Sequence, residues 1–380
     1  KIIDKLIKDF PHQKSNIERL FAEMKSFYDA FTAPIHSDSI LESDSYRDFL
    51  IKNMNKTYKE YIDSFIDEPV LCQIFYSQWP FGGSVPSRAP VAFYVLMFIV
   101  HAIEGSHYLQ NGFKTLADLL ASIIIANGGE IKTKAKVCEV FAENQNVRHV
   151  TLTSGEQFTA EYFVSNISPY HLHGELINQA ARNKVWLRRL SNLNPSVSAV
   201  ILYLGLSTTI DDIIPDSIHF WFGDTNDSIF EKIQQNSAKE IDHLIFLKSP
   251  SKSGIQTLTI MNFLQKSYSE NWKLGKRVLS EKILCKVETI FPGLRNRISL
   301  MEIGSPATFE RYTENTGGAI YGFENTSSVY GEAKLPINTY LKNLFQTGHW
   351  GKPGGGIWNA MYNGYSASQL IKQNLQKKPE

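Results

Sequence analysis

Between Leu344 and Ile371 the chain runs from a short apolar segment (Leu344, Phe345) through Gly348, Gly351 and the triplet Gly354-Gly355-Gly356 into a stretch with Ala360, Gly364 and Ala367 along one side. That order spells a strand, a glycine-dense turn and a helix start. The amides of Gly354, Gly355, Gly356 and Ile357 then point out of the helix N-terminus, where the macrodipole favours negative charge or a carbonyl acceptor. Without a Cβ, glycine lets a flat ring or a phosphate lie directly on the backbone. The same residues also serve as an ordinary tight turn with a glycine cap, so the rest of the chain has to decide between the two.

A chain of 380 residues buries a large core and divides into two domains. Hydrophobic residues at 43% and charged residues at 20% describe a globular protein rather than a disordered one. A formal charge of +1 gives no electrostatic reason to expect nucleic acid as a partner. The 23 Phe and 17 Tyr suit a large apolar cavity and equally a thick core. Cys72, Cys138 and Cys285 are far apart and show no metal-ligand spacing, so no metal site is expected. They read as free thiols in a reducing compartment, hence a cytoplasmic protein. The charged start (Lys1, Asp4, Lys5) does not resemble a signal peptide. The longest apolar run, Val91 to Val100, falls short of the roughly 20 residues that span a bilayer.

Residues 10–66 read as helices, with Ile17, Leu20, Phe21, Met24, Phe27 and Tyr28 at helical spacing and a second helical region from Tyr46 to Phe65. Met54, Tyr58, Tyr61 and Ile62 fall on the apolar side of the second region. Trp79-Pro80-Phe81-Gly82-Gly83 marks a loop. Val91 to Ile103 is apolar all round, as in a helix buried on every side. Thr115 to Leu120 opens an amphipathic helix that stops at Asn127-Gly128-Gly129. The period then changes to that of strands: Glu130–Phe141, Val147–Leu152 and Phe158–Val164 form a β-meander with turns at Asn144-Gln145-Asn146 and Ser154-Gly155. Val197–Leu206, Ile218–Phe222, Leu244–Leu247 and Thr257–Phe263 are strands of a second, sheet-based domain, with helices at Val278–Ile290 and Pro306–Tyr312.

Catalytic signatures of the common hydrolases and kinases are missing. Gly-x-Ser-x-Gly and the Walker loop do not occur, and the histidines lack zinc spacing. What remains are three glycine-rich places with aromatic neighbours: Tyr108-Leu109-Gln110-Asn111-Gly112-Phe113, Gly317 to Gly322, and Gly348 to Ile357. Close backbone approach between aromatic walls suits a flat, uncharged ring system.

These blocks, in this order, resemble the flavin amine-oxidase-like superfamily, and within it the phytoene desaturase, carotenoid isomerase and retinol saturase branch. Asn111-Gly112-Phe113, then Gly128-Gly129-Glu130-Ile131 and Val137, are similar to the family's glycine–helix–strand block. Ser165-Asn166-Ile167-Ser168-Pro169 resembles its "SNADP" strand end. Thr308-Phe309-Glu310-Arg311-Tyr312-Thr313 with Gly317-Gly318-Ala319-Ile320-Tyr321-Gly322 is close to "TFERYT…GGAIYG". Gly348 with Pro353 to Ile357 is similar to the C-terminal flavin motif. The resemblance covers nearly all of Phe10 to Ile371. It implies FAD as cofactor, with the backbone of Val137 at the adenine end and Asn166 near the nucleotide strand. Gly348, Gly355, Gly356 and Ile357 then hold the pyrophosphate and the flavin's carbonyl edge. Gly317, Gly318 and Tyr321 line the isoalloxazine or a substrate tunnel. Asn111 stands where the family carries the first glycine of a pair, and His349 where many flavoproteins carry an acid.

The fold expected is α/β: a partial Rossmann-like FAD domain, plus a mixed β-sheet substrate domain with a helical cap. The divisions are residues 1–104 (helical cap and substrate region), 105–170 and 305–380 (the two parts of the FAD-binding domain), and 171–304 (substrate domain). The expected activity is FAD-dependent desaturation, saturation or isomerisation of a carotenoid-, retinoid- or isoprenoid-like lipid. The apolar helices and the Trp79 region are its mouth toward a membrane surface. A flavin amine oxidase and a non-catalytic lipid-binding module stand as alternatives. Gly-x-Gly-x-x-Gly, the dinucleotide fingerprint, is absent from these 380 residues. The chain is therefore expected to be a truncated form that binds FAD poorly. Titration of FAD followed by flavin fluorescence tests this, and tight stoichiometric binding contradicts it.

Overall fold

The computed structural model describes residues 2–32, 44–105, 107, 109, 112–214, 218–222, 225–237, 240–249, 256–329, 334–352 and 354–377. Tyr108, Gln110, Asn111 and Pro353, which belong to the glycine motifs read above, lie outside the described residues. The N-terminal part is helical: α1 Ile2–Asp9, α2 Lys14–Thr32, α3 Asp44–Asn53, α4 Tyr58–Asp63, α5 Pro69–Tyr76 and α6 Val91–Ile103. The stripe of α2 is buried as its spacing predicts, with Ile17, Leu20, Phe21, Met24 and Phe27 inside. Phe21 meets the rings of Phe75 and Phe98 from α5 and α6. The single helical run expected from Tyr46 to Phe65 is instead two helices. Thr57 caps α4 through a capping box, accepting from the Glu60 amide while the Glu60 carboxylate accepts from the Thr57 N–H at 2.7 Å. Met54 falls in the break and is 64% exposed. Helix α6 buries one side (Val91, Tyr94, Val95, Phe98, Ile99) and leaves Ile103 exposed, so it is not enclosed all round.

Trp79 is not at a mouth. Its side chain is fully buried, its indole N–H donates to Asn226 at 3.1 Å, and its ring packs on Phe230 and Phe263. A Trp beside Pro and Gly looks like an exposed loop residue, but a distant hydrogen-bond acceptor makes it a core residue.

Helix α7 Lys114–Ala126 ends at Asn127-Gly128, with Gly128 at φ +79°. It is amphipathic as read, yet none of its 13 residues is buried. Leu119, Ile123 and Ile125 are exposed, because nothing among the described residues covers that face. The meander follows: β1 Val137–Glu143, β2 Asn146–Leu152 and β3 Gln157–Phe158, all antiparallel. The first strand starts at Val137 rather than Glu130. Asn144 and Gln145 sit at φ +50° and +60°, the left-handed pair that a two-residue hairpin turn needs. Next come β4 Phe163–Ser165, the short turn α8 Pro169–His171, and α9 Lys184–Ser191.

The large sheet is antiparallel with five strands in the order β6-β7-β8-β5-β9: β5 Ser198–Leu206, β6 Ile218–Trp221, β7 His243–Lys248, β8 Gln256–Leu264 and β9 Ile298–Gly304. Alternation along β5 sends Ala199 and Ile201 to the N-terminal helices, with α10 Asn226–Gln234. It sends Val200, Leu202 and Leu204 to Leu279, Ile283 and Val287 of α11 Trp272–Ile290. Helices therefore cover both faces. After α12 Pro306–Thr313 the chain returns through β10 Leu344–Gln346, which pairs in parallel with β4, and closes with α13 Ile357–Gln376. The architecture is α/β, as the sequence indicated. No helix among the described residues is long and apolar enough to cross a membrane.

The buried hydroxyl of Tyr94 fixes the loop between α5 and α6. It donates to the Ser84 carbonyl at 2.6 Å and accepts from the Ser84 N–H at 3.1 Å. Tyr94→Phe orphans that buried amide and is expected to cost about 1–3 kcal/mol in urea unfolding; an unchanged midpoint contradicts this.

Candidate functional site

Strands β4 and β10 run side by side, with Leu344 opposite Phe163 and Gln346 opposite Ser165. The ends of parallel strands leave a crevice where ligands of open α/β sheets settle. Here those ends deliver Asn166 and Gly348 next to each other: a Cβ on Gly348 (φ +82°) would stand 3.3 Å from that of Asn166. The Thr347 N–H donates to the Ser165 carbonyl at 2.8 Å, and the Gln346 side-chain amide donates to the Ile167 carbonyl at 2.9 Å. Asn343 brackets Val147 of the meander, accepting from its N–H at 2.8 Å and donating to its carbonyl at 3.0 Å.

From Gly348 the chain turns through His349 and the buried Trp350, whose ring packs on Phe323 and whose N–H donates to Asn315 at 3.2 Å. Gly322, at φ +74°, leaves no room for a Cβ because the His349 carbonyl lies against it. Gly355 faces Tyr321, whose carbonyl oxygen would be 3.0 Å from a Cβ there. The Tyr321 ring in turn lies on Gly83, 2.6 Å from its Cβ position, and the Tyr321 N–H donates to Ser196 Oγ at 2.9 Å. Three glycine segments, around residues 83, 322 and 355, thus converge on Tyr321. Gly356 caps α13 at φ +103° with no side chain to satisfy the helix amides, and Ile357 begins the helix at 49% exposure.

Gly317 and Gly318 both sit at φ +67°; Gly318 is closed off by the Pro306 backbone, whereas Gly317 faces open space. Ser168 Oγ and Thr316 Oγ, 2.9 Å apart, tie this turn to the segment after β4. Val137 stands apart at the start of β1, opposite Leu152. Its neighbour Lys136 is ion-paired with Glu314, three residues ahead of Gly317.

Charge in this region is sparse. Burial pushes the His349 imidazole down to about 4, so it is neutral at pH 7. The Tyr321 hydroxyl is raised by burial and stays protonated. Glu324 is 4% exposed and its carboxyl is raised by burial, with Arg88 at 3.0 Å as its counter-charge and the Ser84 hydroxyl at 3.4 Å. Lys334, 2% exposed, lies against Gly354, and burial lowers its amine to about 7. Phe93, Met97, Met261, Phe309 and Ile320 are, like Tyr321, half-buried side chains packed against the helical core. Open backbone at glycine, unfilled helix amides and an apolar wall fit a flavin: a flat apolar ring with acceptors on one edge and a charged tail.

Residues 19–371 match the family of flavin containing amine oxidoreductases, and the chain belongs to it. The family implies a flavin cofactor. The chain is 24% identical over 343 residues to a 4,4'-diapolycopene oxygenase of Methylomonas sp, covering 87% of this chain and 67% of that protein. It is 24% identical over 414 residues to the chloroplastic prolycopene isomerase of Daucus carota, covering 100% of this chain and 64% of that protein. The chain therefore spans about two thirds of the length of the curated relatives it matches. By name these are carotenoid enzymes, in line with the branch read from Thr308–Gly322. Among solved structures, it resembles the cyclohexylamine oxidase of Brevibacterium oxydans IH-35A with a TM-score of 0.58 at 12% identity, over 97% of this chain and 76% of that one. It resembles a putrescine oxidase bound to putrescine with a TM-score of 0.60 at 13% identity, over 95% and 76%. At such identities the likeness is one of fold.

Sequence reasoning did not foresee Gly82-Gly83 as the seat of Tyr321, nor the pairing of exposed Arg88 with buried Glu324, nor Lys334. The glycine pair was visible beside Trp79. A buried charge in a loop-rich stretch leaves no periodic signal.

One buried histidine and one partly buried histidine make the fold acid-sensitive. His173, fully buried between Trp186 and Tyr340 with Nε2 at 3.2 Å from Gln346, is lowered by burial to about 4, like His349. The unfolded chain takes up these protons near 6.5. Between the two values the unfolded state binds more protons, so stability rises with pH across that window and is lost on acidification, by up to roughly 3 kcal/mol per group. His349→Gln is expected to flatten the fall in urea-unfolding free energy between these limits; an unaltered slope contradicts the assignment.

Proposed function

We propose FAD-dependent oxidoreduction or isomerisation of a long conjugated or isoprenoid lipid, carotenoid- or retinoid-like in character, as the activity to which this chain contributes. The observation that carries the reading is the junction at Tyr321. Glycine backbone from two other segments lies against this one aromatic residue, which packs, like the apolar Phe93, Met97, Phe309 and Ile320, against the helical core. Such surroundings suit a chain of carbon atoms better than an ammonium. Gly348, Gly355, Gly356 and Ile357 hold the pyrophosphate and the carbonyl edge of the cofactor, with Val137 and Asn166 toward the nucleotide. Gly317, Gly318 and Tyr321 line the ring or the tunnel. The division at residues 104, 170 and 304 belongs to the same proposal, as does peripheral contact with a membrane that stores the substrate.

A bound flavin supplies the two-electron chemistry. The chain's own residues bind, orient and exclude water. His349, lowered by burial to about 4, is a weak base, the Tyr321 hydroxyl keeps its proton, Glu324 is engaged by Arg88, and the Lys334 amine is lowered to about 7.

The test is reconstitution with FAD, followed by incubation with acyclic C40 polyenes in vesicles and, separately, with putrescine and cyclohexylamine. Polyene conversion read by chromatography, reduced at least tenfold by Tyr321→Ala, is the expected result. Amine-dependent peroxide without polyene turnover overturns it in favour of an amine oxidase. Polyene bound without flavin and without turnover overturns it in favour of a non-catalytic lipid carrier.

A further inference from the structure

Helix α11 buries Leu279, Ile283, Leu284 and Val287 against the large sheet. Its outward side is not uniformly polar, as that of a surface helix ordinarily is. Leu274 is 60% exposed and Val278, one turn on, 50% exposed; Cys285, two turns further along the same line, is exposed as well. Lys273 and Arg277 run along one flank of this seam, and Lys282 and Lys286 along the other. A groove of about 750 Å³ opens beside Val278, Lys282, Cys285 and Lys286, with Ile241 and Glu240 on its lining.

The charges on this face are arranged unlike those of the chain's other helices. Elsewhere a lysine is paired with an acid four residues on: Lys5 with Asp9, Lys25 with Asp29, Lys114 with Asp118. On α11 the residue four on from Lys273 is Arg277, and from Lys282 it is Lys286. Like charges at that spacing destabilise a helix. Glu281, which stands four on from Arg277, is taken by Arg295 at 2.6 Å. Lys276 turns inward and donates to the Ile303 carbonyl at 3.2 Å. Among the described residues the side chains of Lys273, Arg277 and Lys282 have no ion-pair partner. Lys286 lies over the ring of Phe222 at 4.2 Å and keeps its charge. Unpaired cations on both sides of an apolar seam complement a surface that is negative and yields to aliphatic side chains.

We propose that the outer face of α11 is where this protein rests on a lipid bilayer, with Leu274 and Val278 entering the headgroup layer and Lys273, Arg277, Lys282 and Lys286 meeting anionic phospholipid headgroups. This rests on the peripheral membrane contact proposed above and gives that contact a face and a lipid charge. The size of the seam favours lipid over an acidic protein. From Lys273 to Lys286 the helix rises roughly 20 Å and is about 10 Å wide, on the order of 200 Å², against about 800 Å² per partner in a stable protein interface. A bilayer requires no matching surface, because aliphatic side chains and cations each contribute separately.

The experiment is co-sedimentation of the full chain with vesicles of phosphatidylcholine alone and of phosphatidylcholine mixed with phosphatidylglycerol, at low and at high salt. Wild type is expected to bind the mixed vesicles, to be released by salt, and to bind neutral vesicles weakly. Lys273→Gln/Arg277→Gln/Lys282→Gln is expected to weaken binding to mixed vesicles roughly hundredfold, each cation near such a surface being worth about fivefold. Leu274→Ser/Val278→Ser is expected to weaken it about tenfold. Leu119→Ser/Ile123→Ser, on the exposed face of α7, is the control that keeps wild-type binding. One readout needs no variant: on mixed vesicles, alkylation of Cys285 by a charged, water-soluble thiol reagent is expected to slow, while exposed Cys138 keeps its rate. If the triple variant binds mixed vesicles like wild type, or the α7 variant is released instead, this face is overturned and the membrane contact stands. Unchanged alkylation of Cys285 on bound protein overturns the face in the same way. Wild type that binds neither kind of vesicle overturns both, and binding to poly-glutamate in place of vesicles assigns an acidic protein partner and overturns the lipid.

Discussion

The parallel pairing of β4 with β10 joins parts of the chain that lie far apart: Ser165 and Thr347 are 182 positions from each other. Closing so long a loop costs conformational entropy, and a parallel pair returns slightly less per residue than an antiparallel one. The pair is held by more than its ladder. Gln346, fully buried, donates to Ile167 and faces His173, while Asn343 bridges to Val147 in the meander. These polar side chains satisfy backbone that would otherwise be buried without partners. Everything at the candidate site follows from this closure. Gly348 meets Asn166 because the two strands end together, the turn reaches Gly322 because β10 aims it there, and α13 starts where the turn lets it.

Around Tyr321 the site is built mostly from what glycine omits. A Cβ on Gly83 would enter the Tyr321 ring, and one on Gly355 would crowd its carbonyl. The tyrosine is therefore placed by backbone surfaces, by a hydrogen bond to Ser196 and by packing against the helical core. This also couples the junction to the helical layer, because Gly83 belongs to the loop fixed by Tyr94 and by the Ser84 and Arg88 contacts to Glu324.

Much of this architecture was legible because it is periodic. The stripe of α2 and the alternation of β5 are repeated signals, and both elements bury the residues their spacing marks. Asn144-Gln145 announced its hairpin through residues that tolerate positive φ. Single events were harder to read. The capping box at Thr57 and Glu60 breaks a helical run within a few residues, and apolar spacing does not register it. Trp79 was read as a loop residue because its partner Asn226 lies 147 positions away. Helix α7 shows the converse: its apolar face was readable, but what covers that face is not a property of the helix. At the site the glycines were visible, since few residues accept their backbone angles. Their partners were not, because a Cβ clash is a fact of tertiary contact.

The two buried charges near the junction differ in their surroundings. Glu324 is buried but faces the exposed Arg88 at 3.0 Å, so its negative charge has a counter-charge at the surface. Lys334 lies behind the glycine loop and close to the start of α13, where dipole and amine have the same sign and reinforce each other. The Phe93, Met97, Phe309 and Ile320 side chains pack against the helical core. In the proposed reading the flavin nucleotide occupies the glycine turn, so the charge there bears on the cofactor and does not by itself choose between a polyene and an amine.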